Sequence, residues 1–152
     1  SGLGRFELKK EEEKKEEVKP RAYADIEEFK GAQETSGTIL EARADLTHPL
    51  LYGYYESMVS IFSYGNLYME KSKGPYSNPL VITENPVQSG YLSKQNLIKA
   101  RASSVLGVSV IGQGRVIGVT ENLCFRGFWL GSGKMITNAI FYGSLINAAS
   151  SR

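Results

Sequence analysis

The charged residues of this chain are concentrated at its start, which limits where a hydrophobic core can form. Residues 1–34 carry 8 Lys and Arg and 10 Asp and Glu, which is 18 of the 34 charged residues in 152. The run Leu8–Lys30 has almost no apolar stripe before Tyr23, and this favours a solvated helix or a connector. We therefore expect residues 1–36 to be a charged connector or exposed helix, and residues 37–152 to form one folded domain.

Composition argues against several classes of function. The net charge is only +2, and Lys94, Lys99 and Arg101 cluster without an aromatic platform, so we expect no nucleic-acid partner. No apolar run approaches the ~20 residues of a membrane helix, so we expect no membrane partner. The only histidine, His48, and the only cysteine, Cys124, stand 76 positions apart in a chain without HExxH or CxxC, so we expect no metal site or cofactor in this segment.

The folded part reads as strands followed by a closing helix. Alternating residues predict a half-buried strand over 37–46, and residues 58–70 predict one or two strands that turn at Gly65-Asn66. LVITE (80–84) predicts a short strand, and the turn signals after it precede a short helix or an irregular stretch. Residues 103–111 and 115–121 predict a hairpin. A C-terminal amphipathic helix is expected, with Ser132 as its N-cap and apolar positions Met135, Ile136, Ala139, Ile140, Tyr142, Gly143 and Ile146.

The stretch NLCFRGFWLGSGK (122–134) gathers rare residues, and it raises the question of a reactive thiol. Cys124, His48 and Asp45 could in principle form a triad, because triads are recognised by geometry. Leu-Cys-Phe has no flanking glycine for a nucleophile turn, and His48 precedes Pro49, which suits a structural turn. We interpret Cys124 as a small buried hydrophobe and GSGK as a strand-to-helix turn, and a cysteine hydrolase remains the less favoured alternative.

Aromatic residues and one arginine are the remaining candidates for a binding or structural site. Tyr52 and Tyr54 stand near His48 and, with other tyrosines, predict either a sugar- or peptide-binding face or simple packing. Arg126 is expected to pair with Asp45 or Glu121, or to cap backbone carbonyls. Trp129 lies in the same stretch as Arg126 and is a further candidate for a binding or structural role. From the residues alone we expect an α+β domain whose β-rich middle is covered by the C-terminal helix.

Four blocks in order make the pattern more specific. They are GTILEARADLTHPLLYGY (37–54), QSGYLSKQNL (88–97), GQGRVIGVTEN (112–122) and FRGFWLGSGKMITNAIF (125–141). The chain resembles the class I glutamine amidotransferase-like domain that follows the catalytic domain in bacterial zinc carboxypeptidases. That resemblance implies an α/β, flavodoxin-like fold over residues 37–152 with a mixed β-sheet, partial or truncated because the first parallel half is missing.

The resemblance implies an accessory role in an exported, secreted or periplasmic hydrolase of peptide C-termini. Its partner would be the N-terminal peptidase domain, with peptide as a further ligand, and zinc would belong to that catalytic domain. No catalytic residue transfers, because the chain has no nucleophile elbow at Cys124 and no His-x-Glu pair. The alternatives are a free-standing peptide- or glycan-binding module that uses the tyrosine-rich face, and the cysteine hydrolase described above.

Overall fold

A computed structural model describes residues 6–9, 22–33 and 35–146 of the chain. Within them, five strands and three helices alternate with short 3₁₀ turns. The strands are β1 (Ser36–Ala44), β2 (Met58–Ser63), β3 (Leu80–Tyr91), β4 (Ser104–Ile111) and β5 (Gly114–Val119). The helices are α1 (Ile26–Gln33), α2 (Lys94–Ala100) and α3 (Leu130–Tyr142), and the 3₁₀ turns are Tyr23–Asp25, Pro49–Leu51, Phe125–Gly127 and Gly143–Leu145.

The strands form one sheet in the order β2-β1-β3-β4-β5, and every neighbouring pair is antiparallel. The predicted alternation of the first strand is confirmed, since Leu40 and Ala42 are fully buried while the residues between them are more exposed. Leu40 lies opposite Ile61 of β2, which is also buried. Apolar burial on this face supplies the main driving force for the fold.

The third strand is more than twice as long as LVITE predicted. It continues through Asn85-Pro86 and Ser89-Gly90, which the sequence presents as turn signals. Both pairs lie where the β1–β3 register shifts, so they form irregularities inside a strand instead of ending it. Pro86 fits because a residue in a bulge does not need to donate a ladder hydrogen bond.

Gly90 is required by its backbone and by its neighbours. Its φ is +89°, and a Cβ there would lie 2.8 Å from the Gly37 carbonyl oxygen and 2.9 Å from Thr38 Cα. Gly112, in the β4–β5 turn, has φ +58° but nothing within 4 Å of a Cβ. We expect Gly90→Ala to lower the free energy of unfolding by about 2–3 kcal/mol and Gly112→Ala by about 1 kcal/mol, measured by urea denaturation. Equal losses would show that the close approach contributes nothing.

The hairpin predicted for residues 103–121 is confirmed, with Ile111 opposite Gly114. The prediction of a hairpin turn at Gly65-Asn66 is wrong, because β2 ends at Ser63 and pairs only with β1 among the described strands. The residues after it do not form a strand. Met69 makes two isolated bridges, to Leu8 and to Ser104.

The closing helix is confirmed, but its start and its buried face differ from the prediction. Trp129 holds the N-cap position, and Ser132 lies one turn inside, where its hydroxyl donates to the Leu123 carbonyl over 2.6 Å. The buried face holds Ser132, Met135 and Asn138, whereas Ile140 is 75% exposed. The helix therefore packs through small and polar residues as well as apolar ones.

The architecture is α/β, with a five-stranded antiparallel sheet and a C-terminal helix. The expected mixed sheet is not present among the described strands, and an antiparallel sheet is atypical of a flavodoxin-like domain, whose strands are parallel. The flavodoxin-like assignment is therefore not confirmed. The predicted short helix after the third strand is confirmed as α2, whose N-cap Ser93 accepts from the Asn96 amide over 3.1 Å.

The described parts of the charged region 1–36 include residues 6–9 and α1. Residues 6–9 lie beside residues 68–70, and α1 has the exposed Phe29 at 38% exposure. The rest of the predicted connector or exposed helix, residues 1–5, 10–21 and 34, lies outside the described residues.

Candidate functional site: an aromatic groove

The segment around His48 is shaped by a short hydrogen-bonded turn. His48 precedes the 3₁₀ turn Pro49–Leu51, and its Nδ1 accepts from the Leu50 amide over 3.2 Å. Asn138 of α3 donates from Nδ2 to the carbonyls of Leu50 and Tyr52, each over 2.9 Å. These bonds fix the segment to α3, so the tyrosines that follow leave the turn in a defined direction.

An open groove with a volume of about 570 Å³ lies between this segment, the start of β2 and the start of α3. Tyr55 and Leu130 are 93% and 81% exposed on its walls. Exposed large apolar side chains gathered in a concave surface mark a candidate binding site. The lining consists of Gly53, Tyr54, Tyr55, Glu56, Met58, Val59, Ser60, Trp129, Leu130 and Gly131.

Tyr54 joins the two walls of the groove. Its hydroxyl donates to the Gly131 carbonyl over 2.7 Å, and Lys134 Nζ donates to the Gly53 carbonyl over 3.4 Å. Burial raises the pKa of Tyr54 to about 12, so the hydroxyl remains a donor throughout the physiological range. The groove is therefore held open by bonds that form without a ligand.

The indole of Trp129 continues the groove into an aromatic cluster. Its ring centroid lies 5.9 Å from that of Phe62, which stacks on Phe125 at 4.1 Å. The indole Nε1 is buried and has no hydrogen-bond partner among the described residues. Phe128, 60% exposed, meets Phe125 edge-on at 5.8 Å, so aromatic surface extends beyond the groove.

Arg126 belongs to this aromatic surface. It is exposed, and its guanidinium lies 5.2 Å from the centroid of the Phe125 ring, within range of a cation–π contact. In the part of the chain that the structure describes, it forms no ion pair or hydrogen bond with Asp45 or Glu121, so neither predicted pairing is present. Its φ of +50° lies in the left-handed region, so the backbone is not helical at this position within Phe125–Gly127.

The tyrosines predicted to act together separate into different environments. Tyr54 and Tyr55 line the groove, whereas Tyr52 does not and instead lies edge-on to Tyr142 at 5.5 Å. Tyr68 is buried, and its hydroxyl lies 3.3 Å from that of Thr35. The groove lining therefore includes two of these tyrosines together with Trp129.

The residues of the candidate triad are not assembled. Cys124 is exposed, not buried as interpreted from sequence. His48 is buried, and its Nε2 has no hydrogen-bond partner among the described residues. Burial lowers the pKa of His48, more than the nearby Asp45 carboxylate raises it. No hydrogen bond joins these three side chains in the described ranges, so the arrangement does not support a nucleophile with its base.

The carboxylate of Asp45 stabilises the turn that follows it and contacts neither His48 nor Cys124 through a described hydrogen bond. One carboxylate oxygen accepts from the amide and the hydroxyl of Thr47, over 3.0 and 2.6 Å. The same side chain faces a second, more polar groove of about 640 Å³ that also contacts Arg43, Lys71 and Glu84. Asp45 and Trp129 therefore belong to different surfaces.

The sequence suggested Glu121 only as a partner of Arg126 and did not predict that its carboxyl group is buried. It is 8% exposed, and its carboxylate accepts from the Ser63 hydroxyl over 2.7 Å and from the Tyr64 amide over 3.3 Å. Burial raises its pKa to about 7, more than these two bonds lower it. The contact joins the end of β2 to the residues after β5, although these strands occupy opposite edges in the sheet order. The sheet must curl for the two to meet.

No protein-family model, curated protein or solved structure matches the chain. Among the described residues, no group of three or more His, Cys, Asp and Glu is placed to hold a metal ion. No described helix is long and apolar enough to cross a membrane.

Proposed function

We propose that the chain is a non-catalytic accessory domain that binds an extended peptide in the aromatic groove. The observation that carries this proposal is the preformed groove itself. Tyr55 and Leu130 are exposed on its two walls, and the Tyr54–Gly131 hydrogen bond fixes the position of one wall relative to the other. A site that needs no rearrangement loses less free energy to ordering when it binds.

A peptide suits the groove better than a compact small molecule because one wall is an edge strand. Among the described strands, β2 has only β1 as a neighbour in the sheet, and its residues Met58 and Ser60 line the groove. An edge strand can add an extended peptide through main-chain hydrogen bonds, while side-chain pockets give selectivity. Met58, Val59 and the aromatic rings would take apolar side chains of such a peptide, and Glu56 a basic one.

The sequence resemblance supplies the context of this proposal. A domain that follows a zinc carboxypeptidase catalytic domain would use the groove to dock on that domain or to orient its peptide substrate. Zinc would then be held in the catalytic domain, and the whole protein would be secreted or periplasmic. The amidotransferase-like, flavodoxin-like assignment is part of the same proposal and depends on the four sequence blocks, since the antiparallel sheet does not support it.

Trp129 allows a direct test, because it is the only tryptophan in the chain. Tryptophan-free hexapeptides rich in Val, Ile and Thr should change its fluorescence on titration. Tyr55→Ala should weaken binding about tenfold, as expected for loss of an exposed aromatic contact. Tyr23→Ala is the matched control, since Tyr23 is 89% exposed in a different part of the chain.

Equal affinities for the Tyr55 and Tyr23 variants would contradict the proposal, and so would a peptide set without any effect on Trp129. Oligosaccharides belong in the same titration, because exposed rings such as those of Tyr55 and Phe128 also stack on sugars. Binding of oligosaccharides alone would establish the glycan-binding alternative instead.

A further inference from the structure

Residues 6–9 lie against the domain as a short added strand. The Lys9 amide donates to the Tyr68 carbonyl over 2.8 Å, and the Glu70 amide donates to the Glu7 carbonyl over 2.7 Å. These two bonds form the antiparallel bridge that places Leu8 opposite Met69. On its other side Met69 bridges to Ser104, so the added segment extends a ladder that begins in β4.

Phe6 occupies a slot floored by two glycines. Gly107 of β4 and Gly118 of β5 lie directly opposite each other in the sheet. A Cβ on Gly107 would lie 2.7 Å from the Phe6 ring, and a Cβ on Gly118 would lie 3.0 Å from it. Neither glycine has a positive φ. Their backbones would accept a side chain, so packing is what favours glycine here. At Gly118 the crowding comes from the Phe6 ring alone, and at Gly107 it comes from the ring and from Met69 Cε, 2.9 Å away.

A third contact is made by the side chain of Lys9, the last residue of the segment. Lys9 Nζ donates to the Arg101 carbonyl over 2.7 Å. Leu8, between the anchors, is 50% exposed, and Glu7 is exposed. The site therefore engages an aromatic ring at the first position and a lysine at the fourth, with main-chain bonds between them.

We propose that this slot is a binding site for extended peptides of the pattern Phe-x-x-Lys, and that Phe6–Lys9 is its resident intramolecular ligand. The contacts are of the kind used in strand addition, in which backbone bonds give affinity and one pocket gives selectivity. The site lies on β4, β5 and residues 68–70, so it shares no lining residue with the aromatic groove and stands independently of the function proposed above.

A labelled peptide tests the proposal on the full chain. The probe is a fluorescein-labelled octapeptide with the sequence of residues 3–10, LGRFELKK. Its anisotropy should report weak binding to the wild-type chain, because the tethered segment competes at a high effective concentration. Phe6→Ala empties the slot and should tighten binding of the probe about tenfold or more. Lys9→Pro, which removes the amide donor to Tyr68, should have the same effect by a different route.

The double variant Phe6→Ala/Gly118→Val provides the matched control, because its valine fills the emptied slot. It should lose the gained binding, and so should a probe with alanine in place of phenylalanine. Circular dichroism melting curves of every variant confirm that each is folded. The proposal would be overturned if the probe with alanine in place of phenylalanine bound as well as the original probe. It would also be overturned if Phe6→Ala and Lys9→Pro were folded but bound the probe no more tightly than the wild type.

Discussion

Between pH 4.5 and 7, Glu121 alone should remove on the order of 3 kcal/mol from the free energy of unfolding as the pH rises. Its pKa is about 7 in the folded chain and 4.5 when unperturbed. In this window the folded state retains a proton that the unfolded state releases. The stabilisation is therefore complete below pH 4.5 and is lost as the pH passes 7, which is opposite to the behaviour of a carboxylate in an ion pair.

The physical cause is burial without a cation. Glu121 accepts two hydrogen bonds from neutral donors, Ser63 and the Tyr64 amide, and no described residue forms an ion pair with it. Two neutral bonds do not replace the hydration of a carboxylate that is 8% exposed. The protonated acid loses far less on burial, so the folded state favours it.

Glu121→Gln isolates this contribution. The amide can donate to the Ser63 hydroxyl and accept from the Tyr64 amide, so both contacts survive without a charge. The difference in unfolding free energy between variant and wild type should grow with pH across the window, as measured by urea denaturation at several pH values. The comparison of the two chains cancels the opposite contribution of His48, whose lowered pKa stabilises the fold as the pH rises. Glu56→Gln, at an exposed carboxylate, is the control, and its difference from the wild type should stay constant across the window. A difference between Glu121→Gln and the wild type that also stays constant would contradict the prediction.

Glu121 also shows where sequence reasoning reaches its limit. A glutamate that ends a strand pattern reads as a solvent-facing residue, and nothing local predicts its burial. Its environment arises only when the sheet curls and brings Ser63 of the other edge strand against it. Long-range geometry of this kind has no signature in hydrophobic periodicity.

Elements defined by local alternation were predicted well. The buried parity of β1 and the β4–β5 hairpin follow from residues within a few positions of each other. The length of β3 was missed because Asn85-Pro86 and Ser89-Gly90 are turn pairs in most contexts. Pairing with β1 on one side makes an irregular strand more favourable than a turn there.

The buried face of the closing helix was predicted only in part, for a chemical reason. Met135 is buried as expected, but Ile136 and Ile140 are exposed. Ser132 and Asn138 face the core instead. The buried carbonyls of Leu123 and Leu50 and the partly buried carbonyl of Tyr52 require donors, and these two polar side chains provide them. A pattern of apolar residues does not predict where such carbonyls need hydrogen-bond donors. The groove lies next to this contact, between residues 53–56, the start of β2 and the start of α3.

Asn138→Asp should therefore be the most damaging isosteric change on α3, with an expected loss of about 3 kcal/mol or more. The asparagine amide donates two hydrogen bonds, one to each carbonyl, from a side chain that is 4% exposed. An ionised aspartate offers no donor and would place a buried negative charge against two carbonyl oxygens. Even when protonated it supplies one donor for two acceptors, so low pH should restore the fold only in part.

Thermal unfolding followed by circular dichroism measures this loss, which corresponds to a fall in Tm of about 10 °C for a domain of this size. Asn122→Asp is the matched control: Asn122 is exposed, and its Oδ1 accepts from the Cys124 amide over 3.1 Å, a role that aspartate retains. We expect that control to melt within about 1 °C of the wild type, because surface changes that keep their contacts cost little. Equal melting of both variants would mean that the two carbonyls find other donors. A loss confined to Asn138→Asp would instead show that this amide fixes the segment that carries Tyr54 and Tyr55, and thus the wall of the groove.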